Sequence, residues 1–269
     1  MSVKNYVVPF DFTSVAESAI EHAICMARES DAQLLVLHLV NNDSKIAQKK
    51  DELTELLKKD EYVNKGVVLV PIVRVGSIFE DINKVALENN SSRIVIGTHG
   101  ALGMQRVFGS NMVKVIKSTE LPIYIVQESR KWEAVKNIVV PIDTSKESIQ
   151  IIAHAADIAY LFKAKITVVG ELQKDETTSR LLKTRIKIVE DKFQSLGVEA
   201  TINLFDKSGS FAEKIVNFAQ EINAQLLATA YFSGSLLPVL DTFHQSLIMN
   251  DARIPVLIIQ SQEVSFSYY

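Results

Sequence analysis

The chain has 269 residues and a mass of 30.0 kDa, with 47% hydrophobic and 23% charged side chains. That is long enough for two domains of ordinary size and apolar enough to exclude disorder as the main state. The net charge is −3, and a divide near residue 131 leaves 16 basic and 16 acidic residues before it and 13 and 16 after it. Neither half has the basic excess that a nucleic-acid-binding protein carries. A single cysteine, Cys25, excludes an internal disulfide and a multi-cysteine metal site. It sits in the apolar helical run Ala23-Ile24-Cys25-Met26-Ala27 and reads as a buried small hydrophobe. The opening Met1-Ser2-Val3-Lys4-Asn5-Tyr6 shows no charged-then-apolar leader. No run approaches the ~18 apolar residues of a membrane span. A reducing, cytoplasmic location is therefore expected.

In chain order the elements alternate. Tyr6–Pro9 reads as a short strand, and residues 14–27 have helical spacing, with Ser14 placed to cap and Glu17 three residues on as its capping-box partner. Leu34–Val40 is a continuous apolar run, the pattern of a strand buried on both faces. Residues 44–60 form a lysine- and glutamate-rich amphipathic helix, a solvated face with pairs such as Glu55 and Lys59. A third strand over 67–73, a helix over 78–87, a strand over 93–96, a helix over 110–118 and a strand over 123–126 complete the first half. The second half repeats the alternation, with strands over 138–141, 165–169, 200–204, 226–229 and 256–259 and helices over 145–160, 177–196, 211–220 and 242–249. Such alternation predicts a mostly parallel sheet with helices on both faces. The tail from Glu263 to Tyr269 has no clear pattern of its own.

The chain also repeats itself. Val7-Val8-Pro9-Phe10-Asp11 recurs as Val139-Val140-Pro141-Ile142-Asp143, and His22-Ala23 recurs as His154-Ala155, both at an offset of 132. Farther on the offset is 133: Gly76-Ser77 meets Gly209-Ser210, and Leu121-Pro122-Ile123 meets Ile254-Pro255-Val256. The polar stretch from Glu128 to Val135 separates the copies, which gives domains at 1–130 and 133–262.

In an open parallel sheet a ligand binds beyond the carboxyl ends of the strands, where the strand order reverses. The residues after the first strand are Phe10 and Asp11. Those after the fourth are Gly97-Thr98-His99-Gly100, followed by a stretch ending in Gly109-Ser110-Asn111; residues 97–109 hold four of the ten glycines. Gly97 and Gly100 allow a sharp turn and a close backbone approach. Gly109-Ser110 opens a helix whose free N–H groups suit a phosphate. Asp11 is placed to accept from an exocyclic amine or a ribose hydroxyl. Two plainer readings stand beside this: the glycines serve turn geometry alone, and Asp11 merely caps the next helix. Of the five histidines, none pairs with another at metal-ligand spacing. His22 and His154 sit within helices and His38 ends a strand, while His99 lies in the glycine stretch, within reach of a phosphate. No Walker motif, nucleophile elbow or Ser-His-Asp set is visible.

These residues resemble the universal stress protein family. The resemblance is carried by the Val-Pro-x-Asp pattern, present twice, by Ile94-Val95-Ile96-Gly97-Thr98-His99-Gly100, by Gly109-Ser110, and by the closing Leu121-Pro122-Ile123-Tyr124-Ile125-Val126. It covers both halves, more specifically the first, so the chain looks like a tandem form. What the resemblance implies is an α/β chain of two Rossmann-like domains of the adenine nucleotide alpha hydrolase-like type. Each would be a five-stranded parallel sheet of order 3-2-1-4-5. ATP, with Mg²⁺ alongside, would lie at the switch point. Carried over by position, Pro9, Phe10 and Asp11 line the adenine side and Leu39 packs on the base. Ile96 and Gly97 close the floor, and Gly100, Gly109, Ser110 and Asn111 hold phosphates and ribose. Two departures stand out. Eight residues separate Gly100 from Gly109 where the family pattern has nine, and Phe10 is bulkier than usual at its position. In the second copy Ala230, Ser233, Thr242 and Phe243 replace Gly97, Gly100, Gly109 and Ser110, so that copy is expected not to hold ATP in this way.

The leading expectation is a stress-response ATP-binding module with one site in the first copy. The degenerate second copy would pair with the first as an intramolecular pseudo-dimer through the fifth strands, and further homo-oligomers and an unidentified protein partner are open. The competing expectation is a scaffold that acts through protein contacts without a nucleotide. A slow ATP hydrolase would need a general base or a placed Mg²⁺, and no residue is assigned either role.

Overall fold

A computed structural model describes residues 4–63, 65–77, 80–99, 108–232 and 241–263, without the side chains of 108–111. The chain divides into two compact units, residues 1–132 and 133–269. In unit 1 the elements run β1 (Lys4–Pro9), α1 (Ser14–Ser30), β2 (Ala32–Val40), α2 (Ile46–Leu57), β3 (Leu69–Val75), α3 (Asp81–Glu88), β4 (Ser91–Thr98), α4 (Phe108–Lys117) and β5 (Ile123–Gln127). In unit 2 they run β6 (Asn137–Pro141), α5 (Ile152–Phe162), β7 (Lys165–Glu171), α6 (Glu176–Ser195), β8 (Ala200–Phe205), α7 (Phe211–Glu221), β9 (Leu226–Tyr231), α8 (Thr242–Ile248) and β10 (Val256–Gln260).

The strand order in unit 1 is β3-β2-β1-β4-β5, and in unit 2 it is β8-β7-β6-β9-β10. Every pairing within these orders is parallel. Both units therefore have the doubly wound α/β order expected from the alternation. The central strands are buried on both faces: Val7, Val8, Leu34, Val36, Ile94 and Val95 are fully inaccessible. At roughly 25 cal/mol per Å² of apolar surface, each such side chain contributes about 1.5–3 kcal/mol. The edge strand β3 is half-exposed along its length and carries Pro71, whose missing N–H blunts the open edge.

The repeat persists in backbone detail. Phe10 N donates to Leu37 O at 2.8 Å, and Ile142 N donates to Val169 O at 2.9 Å. Helix α1 ends on Asp31 and α5 on Lys163, both left-handed at φ +52° and +53°. A left-handed residue there closes the last turn, as glycine usually does. The copies differ at the start of the first helix. Helix α1 runs straight from Ser14, whereas in unit 2 a 3₁₀ turn over Ser148–Ile151 comes first and α5 begins only at Ile152.

Candidate functional site

Strand β1 lies between β2 and β4. The chain winds from β1 toward β2 on one side and from β4 toward β5 on the other, so the order reverses between β1 and β4. The crevice beyond their carboxyl ends is the place where such sheets take ligands. At that end of β1, Asp11 is exposed; its Oδ1 accepts from Thr13 N at 3.2 Å and from Thr13 Oγ1 at 2.5 Å. The cap of α1 is Thr13, whose Oγ1 accepts from Ala16 N at 3.4 Å. Ser14, expected as the cap, is instead the first helical residue, and its hydroxyl donates to Glu128. The reason is local: the Asp11–Thr13 turn puts Thr13 in extended backbone, the conformation a cap needs. Asp143 and Ser145 repeat this turn in unit 2, at 2.7 Å.

Phe12 sits at φ +65°, which costs a bulky side chain about 1–2 kcal/mol. Its ring meets Phe10 edge-on at 5.4 Å and His38 at 4.9 Å, with Lys49 Nζ 4.7 Å above it. Phe10 is only 2% exposed, so its ring lies in the core. His38 Nδ1 donates to Phe10 O at 2.7 Å, which ties the ends of β1 and β2 together. Pro9 and Leu39 are half-buried, and Ile96 is buried.

Gly97 is explained by packing. A Cβ at that position would lie 2.3 Å from Val15 O and 2.6 Å from Val15 Cγ1. Only glycine lets β4 pass the first turn of α1 this closely. In unit 2 the matching residue is Ala230, and the 3₁₀ turn over Ser148–Ile151 is what packs on β9. The 3₁₀ turn and the added methyl go together. Gly100 lies outside the described residues. Helix α4 begins at Phe108, two residues earlier than expected, so Gly109, Ser110 and Asn111 form its first turn; their side chains lie outside the described residues. The first four N–H groups of a helix have no partner within it. At this end of the sheet the described residues offer an exposed carboxylate, Asp11, and the apolar side chains of Leu39 and Ile96. Among the described residues no group of three or more His, Cys, Asp or Glu is placed to hold a metal ion.

In unit 2 the helix at the matching position, α8, is capped by a side chain. The cap of α8 is Asp241, whose Oδ1 accepts from His244 N at 2.8 Å while its carboxylate also receives His244 Nδ1 at 2.8–2.9 Å. A carboxylate therefore already sits on the first amides of α8. Burial pushes the Asp241 carboxyl up, but the bonds and charge of His244 outweigh it and hold the group below the usual carboxylate range. Phe243 stacks on Phe211 at 5.6 Å and 16°. Where unit 1 has Leu39, unit 2 has Glu171, a carboxylate only 6% exposed that binds Lys207 at 2.7 Å and Lys214 at 2.5 Å. Burial raises its affinity for a proton, and the two ammonium groups more than reverse this, so it stays charged.

Sequence reasoning missed two arrangements. Thr229 Oγ1 lies 3.3 Å from His244 Nε2, and His244 Nδ1 faces Asp241, a hydroxyl–imidazole–carboxylate row. It is not a nucleophile set: Thr229 is 3% exposed, and Nε2 also donates to Ala230 O at 3.0 Å. The second arrangement centres on Glu128, read as linker but found bridging Ser14 and His99, with His99 Nδ1 at 3.1 Å. No local signal reveals it, because its partners lie 114 and 29 residues away. His22 is buried, as a packed helical imidazole should be. Cys25 is half-buried, and burial raises its thiol pKa, which leaves little reactive thiolate.

The comparisons bear on the family and the fold. The model of the universal stress protein family matches residues 2–127. The universal stress protein MJ0531 of Methanocaldococcus jannaschii is 28% identical over 143 residues, covering 48% of this chain and 84% of its own. MJ0577 of the same organism is 24% identical over 155 residues, covering 46% and 94%. A solved universal stress protein from Archaeoglobus fulgidus DSM 4304 superposes with a TM-score of 0.75 at 18% identity, covering 97% of this chain and 99% of that one. That likeness shows a shared α/β fold. Residues 2–127, then, match a universal stress protein domain.

Proposed function

We propose that the chain is a cytoplasmic stress-response module that binds an adenine nucleotide, ATP in the first instance, in unit 1, and that unit 2 is a copy without the site. The observation that carries this reading is the reversal of strand order between β1 and β4, with Asp11 exposed just past the end of β1 and α4 the next described element after β4. On this reading Pro9, the main chain of Phe10, Asp11 and Leu39 take the adenosine end. Ile96 and Gly97 form the floor, and Gly100, Gly109, Ser110 and Asn111 take ribose and phosphates, with Mg²⁺ carried on the phosphates. Residues 1–130 are the nucleotide-binding domain and 133–262 the degenerate one. Binding rather than turnover is the activity, and the bound state is read by a protein partner.

Isothermal titration of ATP into the full chain and into Gly109→Glu tests this. Solved universal stress proteins hold cAMP in one case and dAMP in another, which makes cAMP and AMP the companion probes. Heat at one ATP per chain that vanishes in Gly109→Glu supports the module, because the new carboxylate would sit where phosphate is held. No heat from the unaltered chain would leave a scaffold acting through protein contacts.

A further inference from the structure

Helix α1 presents Ser14, Ser18 and His22 at i, i+4 and i+8, one stripe along its surface. The segment that leaves β5 runs along this stripe. Ser14 Oγ donates to Glu128, Ser129 N donates to Ser18 Oγ at 3.0 Å, and His22 Nε2 donates to Arg130 O at 3.0 Å. Trp132, the single tryptophan, then meets the His22 ring edge-on at 5.2 Å. Unit 2 has the same feature after β10: Gln150, which matches Ser18, accepts from Gln262 N at 2.9 Å and donates to Gln262 O at 2.7 Å. In unit 1 the segment has two properties that unit 2 does not show. Ser129 is held at φ +62°, a strained state for a serine. Its first residue, Glu128, is also bound by His99, which directly precedes Gly100. One end of the segment therefore touches the start of the glycine loop, and the other is the point where the chain passes into unit 2 at residue 133.

We propose that residues 128–132 are a strap that couples the start of the glycine loop, at His99, to the junction at Trp132, so that nucleotide binding at the loop alters the strap's hold on α1. The ligand half of this proposal rests on the nucleotide reading above; the mechanical half does not. The strap suits the task because three hydrogen bonds in series share one short segment, and a strained residue lies among them. Freeing one end lowers the cost of freeing the next.

The test has two arms on the full chain. Without ligand, amide hydrogen exchange at His99 and Ser129 and the emission of Trp132 are compared in the unaltered chain, Ser18→Ala and Glu128→Gln. Ser18→Ala should speed exchange not only at Ser129 but also at His99, by about fivefold, the factor for one hydrogen bond of ordinary net strength, and should shift the Trp132 emission. Glu128→Gln should do the same at Trp132 from the other end. Changes confined to the altered bond would overturn the coupling. In the second arm ATP is titrated: the Trp132 signal and Ser129 exchange should follow the calorimetric isotherm. Heat without any response of the strap overturns the ligand half, whereas no heat at all overturns the nucleotide reading and leaves the first arm to decide the strap.

Discussion

His22 makes a quantitative prediction about acid. Its ring is 1% exposed, its Nε2–H donates to Arg130 O, and its Nδ1 is buried with no partner. A proton added at Nδ1 would create a buried cation with nothing to bind it. Burial accordingly lowers the His22 pKa from 6.5 to about 4. The unfolded chain takes up this proton below about 6.5 and the folded chain only near 4, so stability is full above 6.5 and is lost as the pH falls toward 4. Each pH unit inside the window costs up to about 1.4 kcal/mol, and the whole window costs about 3 kcal/mol. The assay is urea unfolding followed by Trp132 emission at a series of pH values from 7 to 4. His22→Gln keeps a donor for Arg130 O but cannot titrate. Carboxylates titrate alike in both proteins, so the difference between the two curves isolates His22. The unaltered protein should lose about 3 kcal/mol more than His22→Gln across the window. Parallel curves would refute the reasoning.

Gly97→Ala should cost unit 1 about 1–3 kcal/mol, since the new methyl meets the Val15 carbonyl, and should lower its melting temperature by several degrees; an unchanged melting curve would contradict the packing account. His244→Leu leaves the Ala230 carbonyl unpaired in a site 9% exposed and should destabilise unit 2 by about 1–3 kcal/mol in urea unfolding, without conferring ATP binding on that unit. Glu171→Leu strands Lys207 and Lys214 beside an apolar side chain, so it should also destabilise unit 2, and Lys214→Met made in the same chain should recover part of the loss. A double variant no better than Glu171→Leu alone would refute that pairing.

The alternation of elements, the doubling of the chain and the reversal of strand order between β1 and β4 were all legible in the sequence, because each rests on periodicity or on short motifs. Leu34–Val40 announces a doubly buried strand by itself, and Asp11 and Asp143 mark both strand ends. What the sequence hid depends on partners distant in the chain. Ser14, Ser18 and His22 are visibly spaced for one face of a helix, but their partners lie 114, 111 and 108 residues away. The exchange of cap between Ser14 and Thr13 turned on a two-residue turn made by Asp11. The four residues of unit 2 that depart from the motif were readable. That Asp241 covers the helix amides was not, since Asp241 lies outside the motif.

The central claim concerns where a nucleotide sits, so the most direct measurement is a crystal structure of the full chain soaked in ATP. The account predicts adenine between Asp11 and Leu39, triphosphate against the main chain of Gly109–Asn111, and no nucleotide over Phe243. Triphosphate over Phe243, or none at the opening of α4, would contradict it.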